Sequence, residues 1–469
     1  MNVIEFMRNT ELCGTEFTGE SWQTWDTITA AAFGLPLDDE QALIFNKLAG
    51  GRKPPTQRVR EFVCIAGRRS AKTQRAAATA VYIGTVSANL DGLTDRLSVG
   101  ERGVIALIAT DRNQAAVAFN YIRGMFEVSP ALGSMVARIT ADSIELTNRV
   151  VIQVTTASYR AIRGKTLLAV IMDEACFFRS ESTANPDMEI YRAAVPGLAT
   201  TGGMMIIISS PYSKKGLVYS RYQKHYGKDS DVLVIKGGTQ DFNPTINKSV
   251  IDEAMQDDPE AAASEWYGEF RNDISAFIDR DLLQDLTRSR PPELPYNNRF
   301  RYQAFVDPAG GGKDEFCIAI GHQEQHSDRI IVDVVRGRIG SPATIVAEYA
   351  ELLRAYRINS ATSDKYAGSW PADEFKRHKI RIDYSAMNRS QLYQDALPIL
   401  NTGRVELPLD VKLLTQFAGL ERRTSRSGVD KIDHPQGGSD DRANAVAGLI
   451  YVANKKKMPC RSVPIAWAN

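Results

Sequence analysis

The 469-residue sequence has few cysteines and histidines, five of each, and no apolar run long enough to cross a membrane. These residues show no metal-ligand spacing and no HExxH sequence, which argues against a structural zinc site. Three cysteines lie in or beside apolar runs, as reduced cysteines do in cytosolic proteins. We find no signal-peptide pattern, internal repeat or low-complexity tract, and we expect no membrane partner.

A strong charge of either sign is also missing. The 57 lysines and arginines nearly balance 56 acidic residues, which leaves a formal net charge of +1. Short basic clusters lie among the acids, and most of them are expected to be solvated faces. A protein that moves along DNA needs only moderate basicity, because a strong grip on phosphates opposes movement. The charge balance therefore does not exclude a nucleic-acid partner, and the length allows two or three domains.

A loop of small and basic residues follows the first strand-like apolar run, with the sequence Cys64-Ile65-Ala66-Gly67-Arg68-Arg69-Ser70-Ala71-Lys72-Thr73. A loop between a strand and an Ala-rich helix points backbone N–H groups and the positive helix end at an anion. Lys72 then reaches nucleotide phosphates, and the Thr73 hydroxyl binds Mg²⁺. The match to G-x-x-x-x-G-K-[ST] is imperfect, because Ala66 and Ala71 occupy the glycine positions. The alternative is an ordinary helix N-terminus with a solvated lysine.

Two further apolar runs end in residues that suit nucleotide hydrolysis. Residues 167–172 lead into Asp173 and Glu174, which predicts a buried parallel strand with acids at its ligand-binding end. Asp173 would hold Mg²⁺ through water, and Glu174 would polarise the attacking water. Residues 204–208 lead into Ser209 and Ser210, which suit a sensor of the γ-phosphate. These segments predict an ATPase core, and the alternative is a buried strand followed by a helix cap.

Apolar runs alternate with helical patterns through the first 272 residues, which predicts an α/β fold with a mostly parallel sheet. A proline-rich stretch follows, so we expect a linker over residues 273–298 between two domains, 1–272 and 299–469. The second domain opens with runs that predict an antiparallel meander around a Gly-rich turn at residues 310–312. Later strands and helices complete a mixed sheet.

Three separate segments of the second domain carry aspartates at a strand end or a helix start. Asp307 and Asp364 each end a short apolar segment, and Asp440 and Asp441 open an Ala-rich helix. Converging carboxylates of this kind hold two divalent ions about 3.5–4 Å apart, one activating water and one stabilising the leaving oxygen of a phosphodiester. The arrangement is that of ribonuclease-H-like nucleases with Mg²⁺ or Mn²⁺. For each aspartate alone, a turn or helix-cap role is the alternative.

On these motifs the chain resembles the large subunits of tailed-bacteriophage terminases, over essentially all of its length. These packaging motors often carry a Gly-Arg-Arg/Gln-x-Gly-Lys-Ser/Thr loop, which this chain matches except at Ala71. Their last nuclease motif is often His-Asp-Asp, whereas Ser439 precedes the acids here and His434 lies nearby. Asp314 is expected to be a turn residue, with a position facing the metals as the alternative. The resemblance implies an N-terminal P-loop ATPase domain and a C-terminal ribonuclease-H-like nuclease domain.

The resemblance also implies roles for single residues. Trp22 and Gln23 would contact adenine, with a surface helix as the alternative. Arg163 would complete a neighbour's ATP site in trans, and Arg68 competes for that role in cis. The remaining residues expected to bind ATP or couple its hydrolysis to movement are Gly67, Arg68, Arg69, Ser70, Ala71, Lys72, Thr73, Asp173, Ser209 and Ser210.

The expected partners are double-stranded DNA, a small terminase subunit, the portal protein of the procapsid, and copies of this chain in a ring on the portal. A monomer in solution is compatible with this, and the place of action would be the host bacterial cytoplasm and the portal vertex. Two other functions stay open: a helicase or remodelling ATPase with an inactive ribonuclease-H-like module, and a nucleotide-regulated DNA-binding adaptor. DNA-stimulated phosphate release and metal-dependent DNA nicking would distinguish the three.

Overall fold

In the computed structural model, the apolar runs of the first half form one eight-stranded sheet. Its strands are β1 (Glu61–Ala66), β2 (Gly103–Ala109), β3 (Val136–Ile139), β4 (Ser143–Leu146), β5 (Val150–Thr156), β6 (Leu167–Asp173), β7 (Met204–Ser209) and β8 (Val232–Gly237). Their order is β3-β4-β5-β2-β6-β7-β1-β8. Neighbours from β5 to β8 are parallel, and β3 and β4 add an antiparallel hairpin at one edge. The predicted mostly parallel sheet is confirmed.

The structure describes residues 1–158, 161–178, 186–289, 291–309, 314–324, 327–364, 370–424, 430–435 and 438–455. The predicted Gly-rich turn at residues 310–312 lies outside these ranges. Within them, no helix is both long enough and apolar enough to cross a membrane.

Helices cover both faces of the first sheet, because alternate residues of its strands face two apolar cores. Phe62 and Cys64 of β1 belong to one core, and Val63 and Ile65 belong to the other. The helices of this half are α1 (Val3–Arg8), α2 (Thr10–Cys13), α3 (Gln23–Ala32), α4 (Asp39–Leu48), α5 (Lys72–Tyr82), α6 (Ala88–Leu90), α7 (Arg112–Val128), α8 (Pro130–Gly133), α9 (Pro186–Thr201), α10 (Gly216–His225), α11 (Thr239–Phe242), α12 (Lys248–Asp257) and α13 (Pro259–Tyr267). Four buried alanines of α5 keep this helix close to the sheet; they are Ala76, Ala77, Ala78 and Ala80.

The second half forms a six-stranded mixed sheet and a small three-stranded sheet. The strands are β9 (Ile274–Ala276), β10 (Tyr302–Asp307), β11 (Phe316–Gln323), β12 (Ile330–Arg338), β13 (Ser360–Ser363), β14 (Arg381–Tyr384), β15 (Val405–Glu406), β16 (Glu421–Thr424) and β17 (Asp430–Asp433). The larger sheet has the order β14-β13-β10-β11-β12-β15. The strands β10, β11 and β12 form the predicted antiparallel meander, and β13 and β14 join β10 in parallel. This is the mixed sheet expected of a ribonuclease-H-like domain.

Both faces of the mixed sheet are covered by helices over separate apolar cores. The helices are α14 (Arg280–Asp285), α15 (Pro342–Ala355), α16 (Trp370–Arg377), α17 (Arg389–Asn401), α18 (Val411–Gly419) and α19 (Asp441–Lys455). The last helix lies against β10, where a Cβ added at Gly448 would come 2.4 Å from the Phe305 ring. A side chain at this position would therefore displace the helix that begins with Asp441.

The chain divides into two compact units between Asn272 and Asp273. The predicted linker, residues 273–298, is not a separate connecting segment in the structure. It contains β9 and α14, which fold as part of the second unit. The strand β9 pairs with β16, and buried side chains of Phe277 and Leu283 join the apolar core of that unit. Apolar residues on both sides of β9 give this segment a core to pack against.

Candidate functional site

The register of the first sheet brings three strand ends to one edge. Ile65 of β1 pairs with Ser209 of β7, and Ile208 pairs with Asp173 of β6. Ligands bind at this carboxyl edge in open parallel sheets. The predicted loop, acids and serines are therefore neighbours in space, although about 140 residues of sequence separate the first from the last.

Lys72 begins α5 at this edge and is 6% exposed. Its Nζ lies 3.1 Å from the carbonyl oxygen of Ala66, 3.0 Å from that of Gly67 and 3.0 Å from Ser210 Oγ. The carboxylate of Glu174 lies 3.4 Å away. The ammonium group therefore sits where the loop, the acidic strand and the serine strand meet.

Thr73 and Asp173, the two residues predicted to hold Mg²⁺, are in direct contact. The Thr73 hydroxyl donates to Asp173 Oδ2 at 2.7 Å. The other oxygen of this 1% exposed carboxylate, Oδ1, is buried with no hydrogen-bond partner in the described part of the chain. Burial, followed by the charge of Glu174, raises the pKa of Asp173 to about 6. A buried oxygen without a partner next to a hydroxyl is the donor set that Mg²⁺ prefers, so these residues fit the ion.

Glu174 has a left-handed backbone, with φ +55° and ψ +46°. This conformation costs a non-glycine residue roughly 1–2 kcal/mol, and such strain is found where the surroundings hold a functional residue in place. Its Oε2 accepts the backbone N–H of Ser210 at 2.8 Å and lies 3.4 Å from Ser209 Oγ. The two serines predicted as a sensor therefore contact the predicted catalytic carboxylate directly.

Gly67 lies one position after the first glycine of the motif, and packing explains why glycine is required there. A Cβ at Gly67 would come 2.4 Å from Thr239 Oγ1 and 2.7 Å from the Thr239 backbone nitrogen, so the loop requires glycine at this position. Ala71, where the motif has glycine, has a φ of +61°. Arg69 also has a positive φ, +133°. Ala71 therefore has a backbone conformation that is strained for a non-glycine residue.

Trp22 and Gln23, the two residues expected to contact adenine, differ in burial. Trp22 is 9% exposed, and its ring packs edge-on against Phe17 with 4.7 Å between centroids. The alternative of a surface helix does not describe Trp22, because this side chain belongs to the apolar core. Gln23 begins α3 and is partly exposed, so the adenine contact stays a prediction.

The two candidate arginines also differ. Arg68 pairs with Glu265 on α13, with 2.7 Å between Nη1 and Oε1, and both side chains are largely exposed. Arg163 is exposed in the turn between β5 and β6, next to the buried Ile162. The cis or trans role of either arginine stays a prediction.

In the second unit, Asp307 and Asp364 leave two neighbouring parallel strands side by side. Val306 pairs with Ser363, so each aspartate directly follows a paired residue. Adjacent strands are about 4.8 Å apart, and alternate residues share a face. Both aspartates therefore lie on the face of Phe305, which is the face that α19 covers.

Asp440 and Asp441 at the start of α19 have different partners. Asp440 is 2% exposed, and its two oxygens accept from Arg389 Nη1 at 2.9 Å and from the Tyr393 hydroxyl at 2.8 Å. Asp441 is partly exposed, and its Oδ2 accepts the backbone N–H of Glu315 at 3.1 Å. Burial raises the pKa of Asp440, and burial followed by the charge of Asp440 raises the pKa of Asp441 to about 6.

Asp307 is close enough to the other three aspartates for their charges to change its pKa. Burial, and then the charges of Asp441, Asp440 and Asp364, raise the pKa of Asp307 well above its usual range, against a hydrogen bond from Asn444 that lowers it. Among the residues that the structure describes, however, no three His, Cys, Asp or Glu side chains are spaced to hold a metal ion. The two findings are compatible. Charges of neighbouring carboxylates change a pKa over longer distances than a metal–oxygen bond can span. The nuclease metal stays a prediction.

Sequence reasoning missed the residues that surround this acid cluster. Arg389 and Tyr393 lie on α17, about 50 residues before Asp440 in sequence. Asn444 carried a signal, because it follows Asp440 by four residues and helical spacing places it on the same face. His434 Nε2 lies 4.0 Å from Asp440, and the Ser439 hydroxyl instead accepts from Gln416 at 3.0 Å.

Several solved structures are similar to this chain. The large terminase of bacteriophage HK97 has 14% identity and a TM-score of 0.39, with 92% of this chain and 100% of that chain covered. The large terminase ATPase domain of a Thermus phage has 19% identity and a TM-score of 0.34, with 50% and 98% covered. The large terminase nuclease of thermophilic phage G20c with bound magnesium has 17% identity and a TM-score of 0.31, with 38% and 96% covered.

No curated protein sequence matches the chain. A family model does match residues 35–267, and it describes the N-terminal P-loop domain of the uncharacterized protein MJ0330. The matched range contains the loop before α5, the acidic strand β6 and the serine strand β7. Residues 35–267 therefore resemble a P-loop domain, and the matched range includes Lys72 and Thr73.

Proposed function

We propose that this chain is the large subunit of a phage terminase. It would move double-stranded viral DNA into a procapsid by ATP hydrolysis and cut concatemeric DNA with a metal-dependent nuclease. The observation that carries the proposal is the pairing, in one chain, of a P-loop site with a second carboxylate site in a separate compact unit. A motor that must both move and cut DNA needs these two chemistries.

In the ATP site, the residues of the chain divide the work by position. Lys72 would bind the β- and γ-phosphates, and it is already directed toward the strand edge by two carbonyl oxygens. Thr73 and Asp173 would hold Mg²⁺, which supplies positive charge to the phosphates when bound. Glu174 would orient the attacking water and accept its proton. Its carboxylate lies 3.4 Å from Lys72 Nζ, which places it beside the γ-phosphate that Lys72 would bind.

Hydrolysis would be reported to the rest of the domain through Ser210. Its hydroxyl accepts a hydrogen bond from Lys72 Nζ at 3.0 Å, and its N–H binds Glu174 at 2.8 Å. Loss of the γ-phosphate changes what Lys72 binds, and this change reaches the end of β7 through one contact. The trans arginine would be Arg163, which is exposed, whereas Arg68 is paired with Glu265.

In the nuclease site, we assign the metal-binding role to Asp307, Asp364 and Asp441, with Asp440 holding Arg389 and Tyr393 in place. Asp441 is the partly exposed member of the adjacent pair, whereas both oxygens of Asp440 already accept hydrogen bonds. The raised pKa values of Asp307 and Asp441 support this choice, because carboxylates that crowd together favour a cation or a proton between them.

The partners follow from this role. The chain would act on double-stranded DNA together with a small terminase subunit, and it would form a ring on the portal protein of the procapsid. An arginine supplied in trans requires such a ring, although the free chain would be a monomer. The work would take place in the host bacterial cytoplasm and at the portal vertex.

One observation favours a second candidate, a helicase or remodelling ATPase with an inactive ribonuclease-H-like module. No three potential ligands in the described residues are spaced for a metal ion. If Asp307, Asp364 and Asp441 stayed at this spacing when a divalent ion was offered, the module would not cut DNA.

DNA-stimulated phosphate release and plasmid cleavage in Mg²⁺ or Mn²⁺ test the proposal. We expect Lys72→Ala to abolish phosphate release and leave cleavage, and Asp307→Asn to abolish cleavage and leave phosphate release, because the two sites lie in separate units. Phosphate release without cleavage in the unmodified chain would favour the inactive-nuclease candidate. Absence of both activities in the folded chain would contradict the terminase proposal.

A further inference from the structure

Three side chains from outside the phosphate loop bind three consecutive backbone carbonyls within it. The carbonyl oxygens of residues 68–70 accept, in order, from Thr239 at 2.5 Å, Asn243 at 2.9 Å and Trp25 at 2.6 Å. These donors come from two different places in the sequence, at and just after α11 and within α3. The motif that predicted the loop includes none of them.

Binding these carbonyls also fixes the direction of backbone N–H groups. A trans peptide group is planar, so the N–H of the next residue points opposite to the carbonyl. The bonds from Asn243 and Trp25 therefore set the N–H directions of Ser70 and Ala71. Neither N–H has a hydrogen-bond partner in the part of the chain that the structure describes. Free N–H groups before a helix N-terminus are the groups that bind phosphate oxygens.

The donor Trp25 is itself held firmly. Its side chain is 1% exposed, and its ring lies 5.0 Å from the ring of Phe242, the residue before Asn243. Arg75 of α5 is buried and binds the neighbouring Asp26 at 2.8 Å and the Trp25 carbonyl oxygen at 3.3 Å. A third contact joins Arg75 Nε to the Thr29 hydroxyl at 3.1 Å. The helix α3 is therefore fastened to the helix that follows the loop.

Because the loop backbone is strained, these hydrogen bonds are needed to hold its conformation. Arg69 and Ala71 have positive φ angles, so the loop has a shape that its residues do not prefer on their own. External hydrogen bonds on both sides of this segment keep the loop in that shape. Without them, the fraction of molecules with correctly directed N–H groups would fall, and the apparent affinity for a phosphate ligand would fall with it.

We propose that Trp25, Asn243 and Thr239 are positioning residues that hold the phosphate loop in the shape that binds ATP. The inference rests on the proposed ATPase function and extends the ATP site to α3 and to the residues at the end of α11, neither of which needs to touch the nucleotide. It also explains why an imperfect phosphate loop, with Ala71 in place of glycine, keeps a binding shape.

The first test is Trp25→Phe in the full chain, which keeps an aromatic ring and removes the N–H donor. We expect the KM for ATP and the Kd for ATPγS to rise about fivefold, with kcat within about twofold, because only the competent fraction changes. The matched control is Trp370→Phe in the second unit. A purely structural defect would instead lower kcat in proportion to the fraction unfolded and leave KM unchanged.

The second test is Asn243→Asp, which keeps the oxygen that caps Thr245 and replaces the amide donor. The matched control is Asn247→Asp, an exposed cap at the start of α12 that binds Ser249 at 3.0 Å. We expect the Kd for ATPγS to rise in the first variant alone. Because Asn243 is partly exposed, Asn243→Ala, which removes the amide without adding charge, decides the proposal if Trp25→Phe does not fold. A Kd for ATPγS above that of Asn247→Ala supports the positioning role, and an equal Kd overturns it.

The outcomes separate the positioning role from the proposed function. A rise in KM and Kd for both Trp25→Phe and Asn243→Asp supports the positioning role. A rise for Asn243→Asp alone, with a normal KM in folded Trp25→Phe, would indicate an effect of added charge and overturn it. Unchanged constants in both variants overturn it while leaving the ATPase intact, and a folded unmodified chain that does not bind ATPγS overturns both.

Discussion

Ala71 and Glu174 both have left-handed backbone angles, one in the phosphate loop and one after β6. Neither is a glycine, so each keeps its shape only because neighbouring groups hold it. Glu174 is held by the N–H of Ser210, and Ala71 lies next to the loop carbonyl that Trp25 binds. A substitution at Ala71 therefore tests backbone strain, and one at Glu174 tests the chemistry of hydrolysis.

Glu174→Gln should bind ATP normally and hydrolyse it at least about a hundredfold more slowly. The amide oxygen still accepts the Ser210 N–H, but it cannot take a proton from the attacking water. Phosphate release and ATPγS affinity, measured on the same preparation, separate the two effects. The control is Glu127→Gln on the exposed part of α7. Turnover close to that of the unmodified chain would remove Glu174 from the catalytic role.

Ala71→Gly should leave stability unchanged or raise it by about 1 kcal/mol at most, because glycine accepts the φ of +61° without strain but has more freedom when unfolded. The opposite result is expected for Ala77→Gly inside α5, where glycine costs about 1 kcal/mol or more. Calorimetry of the full chain measures both shifts in melting temperature. Equal destabilisation by the two substitutions would show that the loop is not strained at Ala71.

Helix α19 is the element on which the second site depends, because it carries Asp440, Asp441 and Asn444 toward Asp307. Its approach to β10 is set at Gly448, where any Cβ would meet the Phe305 ring. A ring on a central strand cannot move far in a close-packed core. The position of the acids is therefore coupled to one glycine two turns away.

Gly448→Ala should destabilise the second unit by about 1–3 kcal/mol through overpacking, and it should reduce DNA cleavage more than phosphate release. The control is Gly419→Ala at the end of α18, where an added Cβ has nothing within 4 Å. Thermal melts and the two activity assays measure these effects. Cleavage as fast as in the control variant would show that the helix does not need this close approach.

Elements with strong local patterns were predictable, and elements that depend on distant partners were not. The strands β1, β2, β6, β7 and β8 are largely buried apolar runs, and β5 alternates buried apolar residues with partly exposed ones, so the sequence alone indicates them. The hairpin β3–β4 was missed because β3 is mostly exposed and carries no apolar run. The three-residue strand β9 was placed in a linker because its partner β16 lies about 145 residues later.

The same distinction applies to the sites. Lys72, Thr73 and Asp173 belong to short motifs next to strands, and the structure brings them together as expected. Trp25 and Arg389 reach their sites only through tertiary packing, since one donates across 45 residues and the other across 51. No local pattern marks such residues, although Trp25 lies two residues after Gln23, which the resemblance predicts to contact adenine.

At the scale of the whole molecule, each unit has its own apolar cores and its own polar site. A net charge of +1 gives no general attraction to DNA, so the proposed binding would depend on local basic clusters or on partners. The carboxylate site of the intact chain can be tested without nucleotide, by measuring how divalent ions and pH change the melting temperature.

Mn²⁺ should raise the melting temperature of the full chain more at pH 7.5 than at pH 5.5. Burial and neighbouring charge raise the pKa of Asp441 to about 6 and the pKa of Asp307 well above its usual range. Folded-state carboxyls with raised pKa values stabilise the fold below about pH 4, and this contribution is lost as the pH rises through about 6. A cation then replaces the missing protons, and at one hundred times its Kd it contributes about 2.7 kcal/mol.

Asp307→Asn should remove this shift at pH 7.5 together with DNA cleavage, because the amide leaves two of the three proposed ligands and no charge at the strand end. Lys72→Ala should keep both, which separates the carboxylate site from the phosphate loop. At pH 5.5 protons compete with the ion, so the shift in the unmodified chain should be small. An equal Mn²⁺ shift at both pH values, or an undiminished shift in Asp307→Asn, would place the ion elsewhere and contradict the metal-binding role of the cluster.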